Sequence, residues 1–269
     1  MTGGSSLHLL RAEDFTRELG TRRVGRQVIV LEEIDSTNSH ALNLAAGADG
    51  ADGTVVIAEH QSAGRGRLGR RWVSPRGAGL NMTALFVEPR AAFAHGRWMM
   101  ATAVAALEAI AESTDVEPVI RWPNDLYVRG RKLCGILIET RALGGERLAV
   151  AVGIGVNCLQ QVGHFPPELR ERATSLEIES RQPIERTAVG RQILRKLGEM
   201  AGSARAGCDE ALAARWREHS GDIGARVTLE EQGAVFTGRI LDVHPCEGLL
   251  LQLDTGGRRH FDPATTARQ

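Results

Sequence analysis

The sequence has no excess of either charge, since its 269 residues contain 33 lysines and arginines against 33 aspartates and glutamates. Proteins that bind DNA or anionic membranes over a broad surface carry a signed excess, so this balance argues against both kinds of partner. No run of about 18 consecutive apolar residues is present, and the first residues lack the pattern of a secretion signal. We therefore predict a folded protein of the cytoplasm.

Cysteine and histidine are too scattered to form a metal or disulfide framework. No two of the four cysteines lie close in sequence, and no two of the eight histidines have the i, i+4 spacing of a helical metal site. We therefore predict no metal centre built from cysteine and histidine, and neither zinc nor a disulfide involving Cys134, Cys158, Cys208 or Cys246.

Several nucleotide and hydrolase motifs are also missing. The sequence has neither a Walker A loop nor a GxSxG motif. Residues 64–69 match GxGxxG, but they lack the preceding strand and following helix that a dinucleotide site requires. The familiar glycine motifs therefore do not identify the activity.

The hydrophobic pattern predicts an α/β catalytic domain of the α+β type, with a mixed sheet and helices. Strands are expected at 27–33, 54–58, 80–87, 119–122, 132–140 and 147–156, the last two joined as a hairpin through Gly144 and Gly145. Helices are expected after the capping residues 35–38 and at 98–113, 188–206 and 209–219, with breaks around Gly202 and Gly207. Residues 98–113 are apolar nearly all round, which indicates the central core helix.

The character of the chain changes near residue 220. Four short strands with turns between them follow, at 226–231, 234–244, 248–254 and 258–262. About 50 residues suit a small β-barrel beside a larger domain. We therefore divide the chain into domains at 1–220 and 221–269.

The strongest local signal is a glycine-rich basic loop. Between residues 60 and 87 there is no carboxylate and there are five arginines, Arg65, Arg67, Arg70, Arg71 and Arg76. Glycines allow a backbone to approach a ligand, and guanidinium groups match phosphate or carboxylate oxygens, while Trp72 offers a stacking face. The pattern favours an anion site, and a solvated basic loop or a loose RNA-binding segment remains the alternative.

A second cluster follows the predicted strand at 119–122. Pro123 ends that strand, Asn124 and Asp125 follow in a turn, and Lys132 opens the next strand. An amide, a carboxylate and an ammonium group can therefore converge. Lys132 would neutralise a transferring phosphate and Asp125 would accept a proton or help hold Mg²⁺, and a surface ion pair is the alternative.

Two weaker signals complete the set. Residues 153–157 read GIGVN, so two side chains are absent from one face of the strand. Their absence would open a groove for a purine or ribose beside the Asn157 amide, although glycines in a strand also mark bulges. At the first strand-to-helix corner, Ser36, Thr37 and Asn38 offer hydrogen bonds to a neutral polar ligand, or simply cap the helix.

Taken together and in this order, the STN, GRGRxGRxW, WPND with K-x-x-G, and GxGxN motifs resemble those of the biotin protein ligases, over residues 27–158 and less distinctly to the end. The resemblance implies that biotin and MgATP give biotinyl-5'-AMP, whose acyl group passes to one lysine of a carboxylase's carrier domain. It also implies an SH3-like barrel at the C-terminus.

The resemblance also implies a role for each motif residue. Lys132, Arg67 and Asp125 would be catalytic. The biotin site would comprise Ser36, Thr37, Asn38, Gln61, Arg65, Gly66, Arg67, Lys132 and Gly135. The adenylate site would comprise Arg70, Trp72, Asn124 and Asn157. The loop 61–79 is expected to close over the adenylate and exclude water.

Two departures from the family pattern concern the chain's ends. Only 34 residues precede Asp35, too few for the DNA-binding domain of bifunctional members, so we expect no repressor activity. The family's C-terminal strand carries an arginine near the adenylate, and the role of Arg268 here is open.

Rival readings of the sequence are a lipoate or octanoate ligase of the same architecture and a non-catalytic nucleotide- or RNA-binding module. Oligomeric state, monomer or homodimer, is open because residues 147–156 are a candidate edge strand.

Overall fold

A computed structural model describes residues 9–47, 51–206, 210–244 and 247–269, in which two β-sheets carry the fold. The larger sheet contains seven strands: β1 (Gln27–Ile34), β2 (Thr54–Gln61), β3 (Gly79–Pro89), β4 (Val119–Arg121), β5 (Asp125–Val128), β6 (Arg131–Ala142) and β7 (Arg147–Asn157). Their order is β1-β2-β3-β7-β6-β5-β4. Strands β1 and β2 are parallel and the other neighbours are antiparallel, so the predicted mixed sheet is confirmed.

The helices are α1 (Ala12–Thr16), α2 (Thr37–Gly47), α3 (His95–Ser113), α4 (Leu176–Glu179), α5 (Arg186–Ala206) and α6 (Glu210–Glu218). Every residue of α3 from 97 to 107 is buried, which confirms it as the central core helix. Helix α5 continues through Gly202, so the predicted break there is wrong, because one glycine costs a helix only about 1 kcal/mol. Gly207, where the second break was predicted, lies outside the described residues.

The two faces of the larger sheet are covered differently. Even-numbered residues such as Leu80 and Met82 of β3 pack into the main core with α3 and α5. On the opposite face, α2 packs through Ala41 and Leu42 against Leu85 and its neighbours. Helix α2 covers only part of that face. The chain between β2 and β3 lies over the remainder and encloses the cavity described below.

The smaller sheet comprises β8 (Arg226–Glu231), β9 (Ala234–His244), β10 (Gly248–Leu253), β11 (Arg258–Phe261) and β12 (Thr266–Arg268). It is antiparallel in the order β11-β10-β9-β8-β12, which agrees with the small all-β unit predicted for this end. The prediction missed β12, as it missed α1, α4 and β5, which have only three to five residues each and therefore little periodicity. The domain boundary at 220 stays a prediction.

Strand β7 lies between β3 and β6, so the interpretation of 147–156 as an edge strand is wrong. The edges of this sheet are β1 and β4. The predicted hairpin is confirmed, since β6 and β7 pair along their length and Gly145 adopts the positive φ that the turn requires.

No helix in the described part of the chain is long and apolar enough to cross a membrane. Cys134 and Cys158 are free thiols, and burial raises the pKa of both, that of Cys158 to about 12. Cys208 and Cys246 lie outside the described residues.

Candidate active site

One cavity of about 780 Å³ collects every residue assigned to the predicted catalytic, biotin and adenylate sites. It lies on the sheet face beside the N-terminus of α2. Its lining includes Ser36, Thr37, Asn38, Gln61, Arg65, Gly66, Arg67, Arg70, Trp72, Asn124, Asp125, Lys132, Gly135 and Asn157. The volume lies within the range of sites that enclose small organic ligands.

One end of the cavity is lined by the polar, uncharged side chains of Ser36, Thr37, Asn38 and Gln61. The Gln61 Oε1 accepts hydrogen bonds from the Thr37 N–H at 2.8 Å and the Thr37 hydroxyl at 3.1 Å. Asn38 donates to Glu139 at 2.8 Å, and its Oδ1 lies 2.6 Å from the Thr83 hydroxyl. These bonds fix the orientation of both amide side chains, while the Gln61 Nε2 has no protein partner among the described residues.

Trp72 covers the sheet beside this polar end. Its Nε1 donates to Asn81 Oδ1 at 2.9 Å, and its ring lies over Gly155 and Gly135. The prediction of an open groove above Gly155 for a purine or ribose is therefore wrong: the groove is filled by the Trp72 indole. Glycine is required there because a Cβ on Gly155 would lie 2.5 Å from Trp72 Cε2.

Gly155→Ala is expected to displace the indole and to lower the free energy of unfolding by about 1–3 kcal/mol, the usual result of overpacking. Chemical denaturation measures this change. The matched control is Gly144→Ala in the β6–β7 turn, where a Cβ meets nothing within 4 Å and a change below about 0.5 kcal/mol is expected. Equal losses in the two variants would show that Trp72 is not held against Gly155.

Asn157 faces inward at the end of β7, where its amide is held by the protein. Its Nδ2 donates to the Thr174 carbonyl at 2.9 Å, and its Oδ1 accepts from Gln160 at 3.0 Å. Asn157 therefore connects the cavity to the chain that follows β7, in which Phe165, Leu169, Arg172 and Ala173 also line the cavity.

The cavity is strongly basic. One acidic residue, Asp125, stands among the described lining residues with eight basic ones: Arg65, Arg67, Arg70, Arg71, Arg121, Lys132, Arg172 and Arg268. Within the described ranges, Arg70, Arg71 and Arg172 have no ion-pair partner, so their charge is available to a ligand. Arg65 forms a salt bridge with Glu139 at 2.8 Å. A cavity of this charge favours a polyanion.

The WPND turn brings together the three groups predicted to converge. Lys132 Nζ lies 2.7 Å from Asp125 Oδ1 and 5.9 Å from the centre of the Trp72 ring. The neighbouring Asn124 donates to the Ile136 carbonyl at 2.8 Å. Both side chains of the Lys132–Asp125 pair are partly buried at the cavity, so the pair is more than a surface contact.

Residues 64–72 form a short finger over the cavity. The Gly66 N–H donates to the Arg70 carbonyl at 2.7 Å, and the Trp72 N–H donates to Gly64 at 3.0 Å. At its tip Leu68 has φ of 53° and is 58% exposed, a conformation that branched side chains adopt at a cost. Residues 64–72 of the predicted loop therefore form a hairpin whose tip faces solvent.

Arg67 leaves the finger to contact the smaller sheet. Its guanidinium donates to Asn124 Oδ1 at 3.3 Å, to the Thr266 carbonyl at 2.9 Å and to the Pro263 carbonyl. Burial and the nearby charge of Arg70 lower the pKa of Arg67. Arg67 therefore donates its hydrogen bonds to protein atoms in this structure, whereas the resemblance implies that it is a catalytic and biotin-site residue.

Beyond the arginines of the basic loop, three basic lining residues lay outside the predicted site: Arg121, Arg172 and Arg268. Arg121 directly precedes the WPND motif, and this position could have identified it from the sequence as a site residue. Arg172 belongs to an irregular segment whose backbone pairs with Lys132, for which the sequence gives no sign. Arg268, whose role the sequence left open, does line the cavity and lies 2.6 Å from Asp222.

Comparisons with known proteins agree on one family. The model of the biotin/lipoate A/B protein ligase family matches residues 30–157. The chain is 30% identical over 243 residues to the bifunctional ligase/repressor BirA of Bacillus subtilis, covering 90% of this chain and 74% of that protein. It is 35% identical over 237 residues to a biotin–[acetyl-CoA-carboxylase] ligase of Mycobacterium tuberculosis, covering 87% and 85%.

Similarity extends to solved structures. A biotin protein ligase from Aquifex aeolicus, in complex with biotin and ATP, superimposes with a TM-score of 0.75 at 26% identity. The match covers 91% of this chain and all of that one.

Proposed function

Since this chain belongs to the biotin protein ligases, within the biotin/lipoate A/B protein ligase family, we propose that its cavity converts biotin and MgATP into biotinyl-5'-AMP and then biotinylates a carrier domain. The acceptor is one lysine of the biotin carboxyl carrier domain of a carboxylase. The observation that carries the proposal is the juxtaposition, in one cavity, of neutral polar side chains at one end with eight basic residues, of which Lys132 is one.

The polar end suits the ureido ring of biotin. A urea presents one carbonyl acceptor and two N–H donors, so its site needs neutral donors and acceptors rather than charge. Ser36, Thr37, Asn38 and Gln61 supply these groups, and the bonds from Thr37 to Gln61 orient the Gln61 amide before a ligand arrives. This arrangement supports the assignment of the biotin head to the N-terminus of α2.

The basic part suits the first chemical step. A carboxylate oxygen of biotin attacks the α-phosphorus of ATP, a C–O–P bond forms, the bond between the α- and β-phosphates breaks, and pyrophosphate leaves. Two anions must approach each other, and Lys132, Arg65 and Arg70 relieve that repulsion. Mg²⁺ would be held mainly by the ATP phosphates and would neutralise part of their charge, since the described residues form no group of three or more His, Cys, Asp or Glu side chains that could hold a metal ion.

The second step needs a neutral acceptor amine. The ε-amino group of the carrier lysine attacks the acyl carbon, the bond to AMP breaks, and the amine loses a proton. Asp125, the one acidic residue among the described cavity lining, lies 2.7 Å from Lys132 and is our candidate to accept that proton or orient the incoming amine.

Arg67→Ala is expected to accelerate the escape of biotinyl-5'-AMP about tenfold, because it removes a guanidinium from the finger and its bonds to the smaller sheet. Dissociation of labelled adenylate from the loaded protein measures the rate. Arg76→Ala is the matched control: Arg76 lies in the same basic stretch, pairs with Glu32 and Glu33, and is outside the cavity lining. Adenylate retention equal to that of the unaltered chain would argue against an anchoring role.

Of the rival readings, membership of a ligase family contradicts the non-catalytic module. A lipoate or octanoate ligase is the remaining alternative, and the uncharged hydrogen-bonding end favours a urea over an aliphatic chain. The decisive experiment measures pyrophosphate exchange into ATP with biotin or lipoate, followed by the mass of a carrier domain. Exchange with lipoate and not with biotin would overturn the substrate assignment.

A further inference from the structure

Asp222 is a buried carboxylate at the junction of the two sheets. It lies between α6 and β8 and is 1% exposed. Its Oδ2 accepts the Trp122 N–H at 2.7 Å, at the start of the WPND turn, and its Oδ1 accepts from Arg268 Nη1 at 2.6 Å, in β12. One side chain therefore joins the turn that presents Asn124 to the last strand of the smaller sheet.

The same carboxylate oxygen is close to a second guanidinium. Arg121 Nε lies 3.7 Å from Asp222 Oδ1, and the Arg121 guanidinium is stacked over the Tyr127 ring at 4.1 Å. Arg121 and Arg268 belong to different sheets, and both line the cavity. Two like charges are held together at its wall because a buried negative charge lies behind them.

From these contacts we infer that Asp222 is a positioning residue for the nucleotide: it holds Arg121 and Arg268 where the β- and γ-phosphates of ATP, and the departing pyrophosphate, are bound. Guanidinium pairs recognise phosphate oxygens, whereas the biotin head is assigned to the neutral polar end of the cavity. The inference rests on the proposed function and adds to it a residue that does not itself line the cavity.

The test replaces Asp222 by asparagine in the full chain. D222N keeps an oxygen to accept the Trp122 N–H but removes the charge that holds the arginines. We expect the KM for ATP in biotin-dependent exchange to rise about tenfold and the KM for biotin to stay within about twofold, the split that separates positioning from general damage. An unchanged KM for ATP, or an equal rise in both constants, overturns the inference.

The matched control is D242N. Asp242 of β9 accepts from Arg217 of α6 at 2.6 Å, so its loss also breaks an ion pair between α6 and the smaller sheet, at a place outside the cavity lining. We expect both KM values to stay as in the unaltered chain. A rise in the KM for ATP in D242N as large as that in D222N overturns the inference, since any loosening of the smaller sheet would then suffice.

Arg268→Gln completes the design. If Asp222 acts through Arg268, R268Q raises the KM for ATP. The KM for ATP of the double variant D222N/R268Q then exceeds that of R268Q by no more than about twofold, whereas two independent effects would multiply. Should D222N fail to fold, R268Q alone decides, because an unchanged KM for ATP in R268Q overturns the inference. If the unaltered chain itself shows no biotin-dependent exchange, the proposed function is refuted instead.

Discussion

Lys132→Ala is expected to lower biotin-dependent pyrophosphate exchange about 100- to 1,000-fold, the usual cost of removing a preorganised charge from the site of a developing one. Lys132 contributes its ammonium group at the point where the finger, the WPND turn and β6 meet, 2.7 Å from Asp125. In the proposed first step, this change would leave the biotin carboxylate and the α-phosphate to approach each other without the positive charge of Lys132.

The fold is expected to survive this change, since the backbone of Lys132 makes the bonds that hold the neighbouring chain. Its N–H donates to Arg172 at 2.7 Å and its carbonyl accepts from Thr174 at 2.9 Å, and neither bond involves the side chain. Lys196→Ala is the control, because Lys196 pairs with Glu108 and Glu112 in the helical layer. Near-normal exchange in Lys132→Ala, with an intact unfolding transition, would remove Lys132 from the chemistry.

The largest loss of stability is expected from Glu59→Ala, about 3–5 kcal/mol in the free energy of unfolding, since it removes the carboxylate that pairs with the buried Arg186 guanidinium. Glu59 ends the buried part of β2 and pairs with Arg186 at 2.7 Å, with side chains 2% and 4% exposed. It also accepts the Leu10 N–H at 2.6 Å, so one carboxylate joins the segment before α1, β2 and the start of α5.

Urea denaturation of Glu59→Ala and of the unaltered chain measures this loss, and Asp254→Ala is the control. Asp254 pairs with Arg226 on the surface of the smaller sheet, where removing an exposed partner costs less than about 1 kcal/mol. Replacing both buried partners, as in Glu59→Leu with Arg186→Met, is expected to restore part of the stability. If Glu59→Ala lowers the free energy of unfolding no more than Asp254→Ala does, the prediction for the Glu59–Arg186 pair is wrong.

Most of the fold was predictable where patterning is strong. The apolar residues of α3 and the β-branched runs of β2, β3, β6 and β7 reveal their burial through composition alone. Elements of three to five residues, such as β12 and β5, have no such pattern and form because neighbouring strands pair with them. Burial of Glu59 was equally hidden, since its partner Arg186 lies 127 residues away.

The candidate site was predictable as a set of residues and less so as a geometry. Motif spacing places polar groups at strand ends, and the described structure brings all of them to one cavity. Their partners depend on tertiary contacts: Trp72 fills the groove that the glycines open, and Asp222 reaches two arginines from outside the cavity. Sequence spacing gives no information about such contacts, because they join segments by packing and not by periodicity.

The bond between Arg67 and Thr266 spans 199 residues. The β6–β7 hairpin and the finger close over short loops, whereas a contact of such separation closes a long one at a higher entropic cost, so we expect it to form later in folding. We therefore expect the cavity wall made by Arg67 and β12 to be among the last parts of the native structure to assemble. On that expectation, a partly folded chain would contain the motifs without the site.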